Sequence, residues 1–201
     1  MGRPEPARRY IQQEPSAFEV NPVYGKVPVL IHHGNPLSES SIILEYIDQI
    51  WKNNPLLPRD PYQRAQARFW AKVVEEKLLY PGWHAVCLEG EKQGRAVKVA
   101  IQTLEKIEEM LKGKRFFGGD KIGFLDLIIG FVSYMLPVWE EVASVKIFDP
   151  LKFPSIAAWK NNFINHDVIK GEYLPSRADM ISYFQWRSRE LMPKYASSLH
   201  Y

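Results

Sequence analysis

The chain has 201 residues, 46% of them hydrophobic and 24% charged, a globular make-up with apolar mass for one large domain or two small ones. Its net charge of +3 is spread among carboxylates, as in Glu105-Lys-Ile-Glu-Glu109, which argues against a dedicated nucleic-acid surface. The single cysteine, Cys87, excludes an intramolecular disulfide and any multi-thiolate metal site within one chain, and it points to a reducing compartment.

The first residues, Met-Gly-Arg-Pro-Glu-Pro-Ala-Arg-Arg, lack the apolar core of a secretory signal, and their prolines and glutamate argue against a transit helix. No apolar run approaches the ~20 residues of a membrane span, so a cytoplasmic protein is expected. Arg9-Tyr-Ile-Gln-Gln13 reads as a short strand and Val27–His32 as a clearer one. His33-Gly-Asn-Pro36 makes a turn, and a return strand at Leu37 completes a hairpin. Ile42, Ile43, Tyr46, Ile47 and Ile50 recur at helical spacing, so Ser40–Trp51 reads as an amphipathic helix. Asn53–Pro61, with three prolines, Asn and Asp, has the composition of a stiff linker.

Beyond it the pattern is helical. Tyr62–Tyr80 carries Phe69, Trp70, Val73 and Val74 and is expected to stop at Pro81-Gly82. Glu91–Leu111 places Val97, Ala100, Ile101, Leu104, Ile107 and Leu111 on one face and ends at Gly113. Phe124–Val142 is apolar almost all round, the mark of a central buried helix, with Pro137 expected to kink or interrupt it. Helices near Ser155–Asn165 and Arg177–Tyr195 follow. The expected plan is α/β plus all-α: a small unit over residues 1–52, a linker over 53–61, and a larger all-helical unit over 62–201.

Val27-Pro28 opens an apolar strand with a residue that cannot donate to a ladder. A cis bond there would leave the N–H and C=O of Val27 to hold an extended peptide. An edge strand whose proline discourages aggregation is the plainer reading of the dipeptide alone. Ser38-Glu-Ser40 opens the next helix, where unsatisfied N–H groups and the positive dipole end suit a carboxylate. The Ser40 hydroxyl adds a donor, and Glu39 could balance an ammonium. An N-cap serine with an acidic first turn accounts for the same letters. Taken together, one hairpin apart, the two features describe a receptor for a small peptide.

Three segments carry a resemblance: Asn21-Pro-Val-Tyr-Gly-Lys-Val-Pro-Val-Leu-Ile31, Ser38-Glu-Ser-Ser-Ile-Ile-Leu-Glu-Tyr-Ile47 and Phe116-Phe-Gly-Gly-Asp-Lys-Ile-Gly-Phe-Leu-Asp126. They resemble the cytosolic glutathione transferases, and within these the plant tau class, in a collinear match from about Asn21 to about Leu191. The resemblance implies a thioredoxin-like glutathione-binding domain, an all-helical domain that completes a pocket for a hydrophobic electrophile, and a homodimer. It implies that Val27 binds the cysteinyl backbone of glutathione, that Glu39 and Ser40 hold the γ-glutamyl end, and that Lys26 is a nearby charge partner. By position, Tyr80, His84, Trp139, Tyr183 and Phe184 are candidates for the hydrophobic pocket, although an aromatic at helical spacing usually packs in a core. Glutathione would be a co-substrate, with no bound cofactor and no metal; His84 has no partners at metal-ligand spacing. No nucleic-acid or membrane partner is implied.

The pattern departs from the family in its first residues. The family's first strand is followed by a helix whose first turn carries a catalytic serine in a Ser-Pro-Phe-like motif, and these 201 residues hold no such motif. Arg9–Gln13 resembles the family's second strand, so a truncated thioredoxin-like domain is expected, and Ser16 stands in the wrong context for the catalytic serine. That hydroxyl would stabilise the glutathione thiolate; moving a thiol pKa from about 8.5 toward neutrality takes about 2 kcal/mol. The absence of a cysteine before Cys87 argues against the thiol-type relatives. Asp126 resembles the acidic half of the family's buried capping box, with Gly123 where a Ser or Thr often stands, and reads as a folding element. The expected activity is conjugation of glutathione to hydrophobic electrophiles, as in detoxification, at a reduced rate. A non-catalytic hydrophobic-ligand carrier and a protein-interaction module are the alternatives.

Overall fold

The computed structural model describes residues 17–170 and 174–198. The strand expected at Arg9–Gln13, and Ser16, lie outside the described residues. The chain divides into two compact units, Met1–Asn54 and Pro55–Tyr201.

In the first unit a short helix α1 (Ala17–Val20) precedes the antiparallel hairpin β1 (Val29–His32) and β2 (Asn35–Ser38), and α2 (Ser40–Ile50) follows. The register runs from Val29 opposite Ser38 to His32 opposite Asn35. His33 and Gly34 make the two-residue turn with φ of 50° and 79°, the left-handed geometry whose twist matches the flanking strands. Asn35 and Pro36, expected in the turn, therefore belong to β2. Pro36 is tolerated opposite Ile31 because, among the described residues, β2 pairs with β1 alone and is an edge strand. β1 is shorter than Val27–His32, since Pro28 has no N–H to give to a ladder. β1 is fastened to α2 by His32, whose Nδ1 lies 2.6 Å from the Tyr46 hydroxyl and whose ring packs against Trp51.

The second unit is helical throughout the described residues: α3 (Pro61–Val74), a π-helical turn (Glu75–Leu79), α4 (Tyr80–Cys87), α5 (Gly90–Leu111), α6 (Phe124–Ile129), α7 (Phe131–Tyr134), α8 (Leu136–Ala143), α9 (Pro154–Ile164) and α10 (Arg177–Ser198). Leu78, Ala100, Leu104, Leu111, Phe116, Ile129, Leu136 and Ile156 are fully buried and form its core. None of these helices is long and apolar enough to cross a membrane.

One expectation fails here and a second is met only in part, each departure having a long-range reason. The helix does not stop at Pro81-Gly82; it runs on through a π turn into α4. Pro81 has no N–H for the carbonyl four residues back, that of Lys77, and the Thr103 hydroxyl of α5 lies 2.9 Å from that carbonyl and 2.9 Å from its own helix's Val99 carbonyl, sharing its one proton between them. The region expected as one helix over Phe124–Val142 is three short ones, divided at Gly130 and Met135. A Cβ at Gly130 would lie 2.7 Å from the ring of Phe163, so the break is where α9 presses against the backbone. The division at Met135 is the interruption expected at Pro137, which sits in the first turn of α8, where a missing N–H is harmless.

Asp126 anchors this half. Its Oδ1 accepts the Phe117 N–H at 2.9 Å and the Trp159 indole N–H at 2.8 Å; its Oδ2 accepts Gly123 N–H at 2.8 Å and Gly118 N–H at 3.1 Å. The carboxylate thus caps α6 and ties it to the Phe116–Gly119 turn and to α9.

Candidate functional site

In the first unit the segment before β1 is shaped by Asn21. Its buried side chain donates from Nδ2 to the Lys26 carbonyl at 3.0 Å and accepts the Tyr24 N–H, while Gly25 N–H donates to its carbonyl at 2.7 Å. This loop delivers Lys26 and Val27 to the open end of the hairpin. The Val27–Pro28 bond is cis, as the sequence reading expected, and Val27 is 79% exposed, outside the ladder that begins at Val29. Lys26 is exposed, with its ammonium 6.0 Å from the Tyr24 ring centre.

With Val29 opposite Ser38, the register puts Val27 at the same end of the hairpin as Glu39 and Ser40. The helix cap is Glu39 rather than a serine, and Ser40 is the first helical residue. Glu39 holds φ 74° and ψ 115°, a left-handed backbone that is costly for a side chain larger than glycine. Its carbonyl accepts the Ile43 N–H at 2.9 Å, but no side-chain hydrogen bond caps the helix. The start of α2 thus keeps backbone donors directed outward beside the exposed Ser40 hydroxyl and Glu39 carboxylate.

The second place is a cavity of about 240 Å³ within the helical unit. Tyr80, Trp139, Tyr183 and Phe184, four of the five aromatic candidates, line it together. Phe184 meets Trp139 edge-on at 5.7 Å, and the Trp83 ring lies 5.7 Å from Phe184. The Tyr80 hydroxyl donates to Glu75 at 2.9 Å. His84 is not one of the lining residues; it is half-buried, and that burial pushes its pKa down. Leu79, Trp83 and Arg187 line the cavity and escaped the sequence reading. A signal was present, since Trp83 follows Leu79 by one helical turn and Arg187 follows Tyr183 by one.

Cys87 is buried, and burial pushes its thiol up to about 12 against the pull of Arg187, so it is protonated at neutral pH and unsuited to nucleophilic work. Among the described residues no group of three His, Cys, Asp or Glu is placed to hold a metal ion. A larger recess of about 410 Å³, bounded by Gln63, Trp70, Lys114 and Phe117 among others, carries none of the residues expected to bind glutathione or the hydrophobic partner.

Comparison with known proteins bears on both places. Residues 8–49 match the family model of the glutathione S-transferase N-terminal domain, and residues 89–167 that of its C-terminal domain. A probable glutathione S-transferase of Glycine max is 41% identical over 175 residues, 87% of this chain and 77% of the relative. Glutathione transferase GST 23 of Zea mays is 45% identical over 176 residues, covering 86% and 78%. The crystal structure of the tau-class glutathione S-transferase of mango, Mangifera indica, superposes with a TM-score of 0.74 at 36% identity, over 87% of this chain and 80% of that one. A rice enzyme solved in complex with glutathione gives a TM-score of 0.76 at 30% identity, over 89% and 81%. The first unit is accordingly a thioredoxin-like domain with a small two-stranded sheet, and the second the helical C-terminal domain. The chain belongs to the glutathione S-transferase family and has tau-class members among its relatives.

Proposed function

We propose that this protein binds glutathione at the open end of its hairpin and transfers it to hydrophobic electrophiles. Residues 1–52 form the partial glutathione-binding domain, 53–61 the linker, and 62–201 the domain that receives the hydrophobic partner. The observation that carries the reading is Glu39: a strained, left-handed residue at the junction of β2 and α2, with no side-chain cap on the helix it precedes. Such geometry suits an α-amino-acid end, with its carboxylate on the α2 N–H groups and the Ser40 hydroxyl, and its ammonium toward Glu39. The backbone of Val27 would pair with the cysteinyl residue, and Lys26 would supply positive charge nearby. In the transfer the glutathione sulfur attacks the electrophilic carbon of, for example, an aryl halide. A C–S bond forms, halide leaves, and the thiol proton passes to solvent.

Glutathione is the co-substrate, and no resident cofactor or metal takes part. The 201 residues by themselves hold no Ser-Pro-Phe-like motif, so binding should exceed turnover. A homodimer in the cytoplasm fits the lone buried cysteine and the exposed apolar residues Ile42, Tyr62 and Phe69 on α2 and α3. A carrier of hydrophobic ligands is the second reading, favoured by a cavity assembled wholly within the helical unit.

Calorimetric titration with glutathione, beside an aryl halide conjugation assay, tests the proposal. Glu39→Gln and Ser40→Ala should each weaken binding by about tenfold, as expected for loss of a charge-assisted hydrogen bond, with the thermal midpoint unchanged. No binding at millimolar glutathione, or binding indifferent to both changes, would remove the assignment. Grafting a family-type first strand and serine-bearing helix onto Arg9 should raise turnover more than affinity; equal turnover without the graft means the serine is not limiting. Sedimentation of the same samples should give a dimer at micromolar concentration, and a monomer alone would refute the assembly.

A further inference from the structure

The turn end of the hairpin carries a pair of rings that the glutathione reading does not use. His32 closes β1 and His33 opens the turn. Neighbours along a strand point to opposite faces. His33, however, leaves the strand with φ 50°, and the two imidazoles come to lie side by side, their centres 4.1 Å apart and their planes tilted by 39°. A turn built on two left-handed residues takes Asn, Asp or Gly at its first place by preference, so a histidine there is held against the backbone's own bias.

The two rings are held differently. His32 is half-buried, with its Nδ1 2.6 Å from the Tyr46 hydroxyl, the Tyr46 ring edge-on at 5.6 Å and the Trp51 ring 5.3 Å away. When Nδ1 carries the proton and donates it to the Tyr46 oxygen, Nε2 is left with a bare lone pair. A hydrogen bond on the far nitrogen is what fixes the tautomer and direction of a metal-binding histidine. His33 is exposed, and among the described residues its ring makes no hydrogen bond, so its nitrogens are open to solvent.

We infer that His32 and His33 form a binding site for copper(II). Nε2 of His32 and one nitrogen of His33 are the ligands, the Tyr46 hydroxyl positions His32 from behind, and water fills the remaining places. Metal–imidazole bonds of about 2.0 Å at a right angle set two ligating nitrogens about 3 Å apart. Rings centred 4.1 Å apart reach that spacing by rotation of the exposed His33 ring. Two imidazoles favour late first-row ions, copper(II) ahead of nickel and zinc, over calcium or magnesium, which take oxygen ligands. Among the described residues no third His, Cys, Asp or Glu joins the pair, so the ion is held reversibly, with a dissociation constant in the micromolar range. His32 faces Asn35 at one end of the hairpin and Val29 faces Ser38 at the other. The copper site therefore stands about 10 Å along the strand from the end assigned to glutathione, and it is independent of that assignment.

Titration with copper(II) chloride in a non-coordinating buffer free of glutathione, followed by calorimetry and electron paramagnetic resonance, tests it. The first equivalent should bind with a spectrum that shows coupling to two imidazole nitrogens. His33→Asn suits the turn and so keeps the fold, and it should weaken that equivalent by at least about tenfold. Tyr46→Phe keeps the ring, loses only the hydroxyl, and should weaken it by about tenfold. His166→Asn, at a histidine of the other unit, should change nothing. Equal affinity in the parent and His33→Asn proteins, or equal losses with His33→Asn and His166→Asn, would mean scattered uptake by surface imidazoles and overturn the site. Full affinity in Tyr46→Phe would overturn the role given to that hydroxyl. The spectrum of the unaltered protein decides even if a variant does not fold, because coupling to a single nitrogen overturns the pair. Glutathione affinity measured without copper should be the same in the parent and His33→Asn proteins, so the two assignments fail separately.

Discussion

Replacing Asp126 by asparagine isolates what one carboxylate does for the helical domain. The residue is fully buried, and its two oxygens accept from Phe117, Gly118, Gly123 and the Trp159 indole at 2.8–3.1 Å. Asparagine has the same shape, but one oxygen becomes an NH₂ that only donates. Whichever way the amide turns, two of the four donors lose their acceptor and face another donor. A hydrogen bond to a charged group contributes about 1.5–3 kcal/mol, so Asp126→Asn should cost about 3–6 kcal/mol. That is a large part of the roughly 5–15 kcal/mol that holds a typical protein folded. Glu108→Gln is the internal standard, because Glu108 accepts one N–H on each oxygen, from Ser155 at 2.8 Å and Ile156 at 2.9 Å, and caps α9. It should lose one bond and about half as much. Urea unfolding followed by far-ultraviolet circular dichroism measures both, with the slope m checked for constancy. An Asp126→Asn protein within about 1 kcal/mol of the parent, or a Glu108→Gln change that costs more, would refute the idea that lost acceptors set the cost.

Thr103→Val removes the hydroxyl that stands in for the N–H Pro81 lacks, and should cost about 1–2 kcal/mol. In a Pro81→Ala background, where a backbone N–H returns, the cost should shrink, and equal costs in urea unfolding of the two backgrounds would sink the account. Cys87, with its thiol held up to about 12, should resist a disulfide reagent at pH 8 until the chain is unfolded. Its folded-state pKa is above its unfolded value, so its contribution is constant below a pH of about 8.5. Stability should fall as the pH rises from there, because only the unfolded chain can release that proton. Cys87→Ala should flatten the slope, and an unchanged slope would assign the alkaline loss elsewhere.

What the letters revealed and what they hid follows from the range of the forces involved. α2, α5, α9 and α10 could be bounded to within a few residues, because a repeating apolar face is local. Asp126 was legible too, since three of its donors lie within ten residues of it. Glu108 was not; it caps a helix nearly fifty residues ahead, and nothing near it in sequence announces that. The division at Gly130, unlike the one before Pro137, is hidden for the same reason, depending on a phenylalanine at 163 that meets Gly130 only after folding. The hairpin residues Lys26, Val27, Glu39 and Ser40 stood in recognisable motifs. Glu39 rather than serine at the cap is a backbone fact that side-chain preference does not foresee. Arg187 went unread because a lone cation on a helix face is ordinary; only the rings around it make it unusual.

The run from Glu75 to Trp83 turns two helix breakers into parts of the cavity wall. A π turn holds one residue more than an α turn and so rotates every later side chain by about 100° around the axis. Tyr80 and Trp83 are the first large residues after that rotation, and both face the cavity. Pro81, which cannot complete the ordinary ladder, suits a wider turn at this spot, and Thr103 supplies the donor it withholds. Gly82 acts at closer range. A Cβ there would lie 3.1 Å from the Trp139 ring, a tight contact that would push back the indole, which settles against α4 and meets Phe184 at 88°. A helix that ended at Pro81 would carry neither Trp83 nor this contact, and the cavity would lose a side. The residues that make the sequence read as a helix end are those that let the helix continue as an aromatic wall.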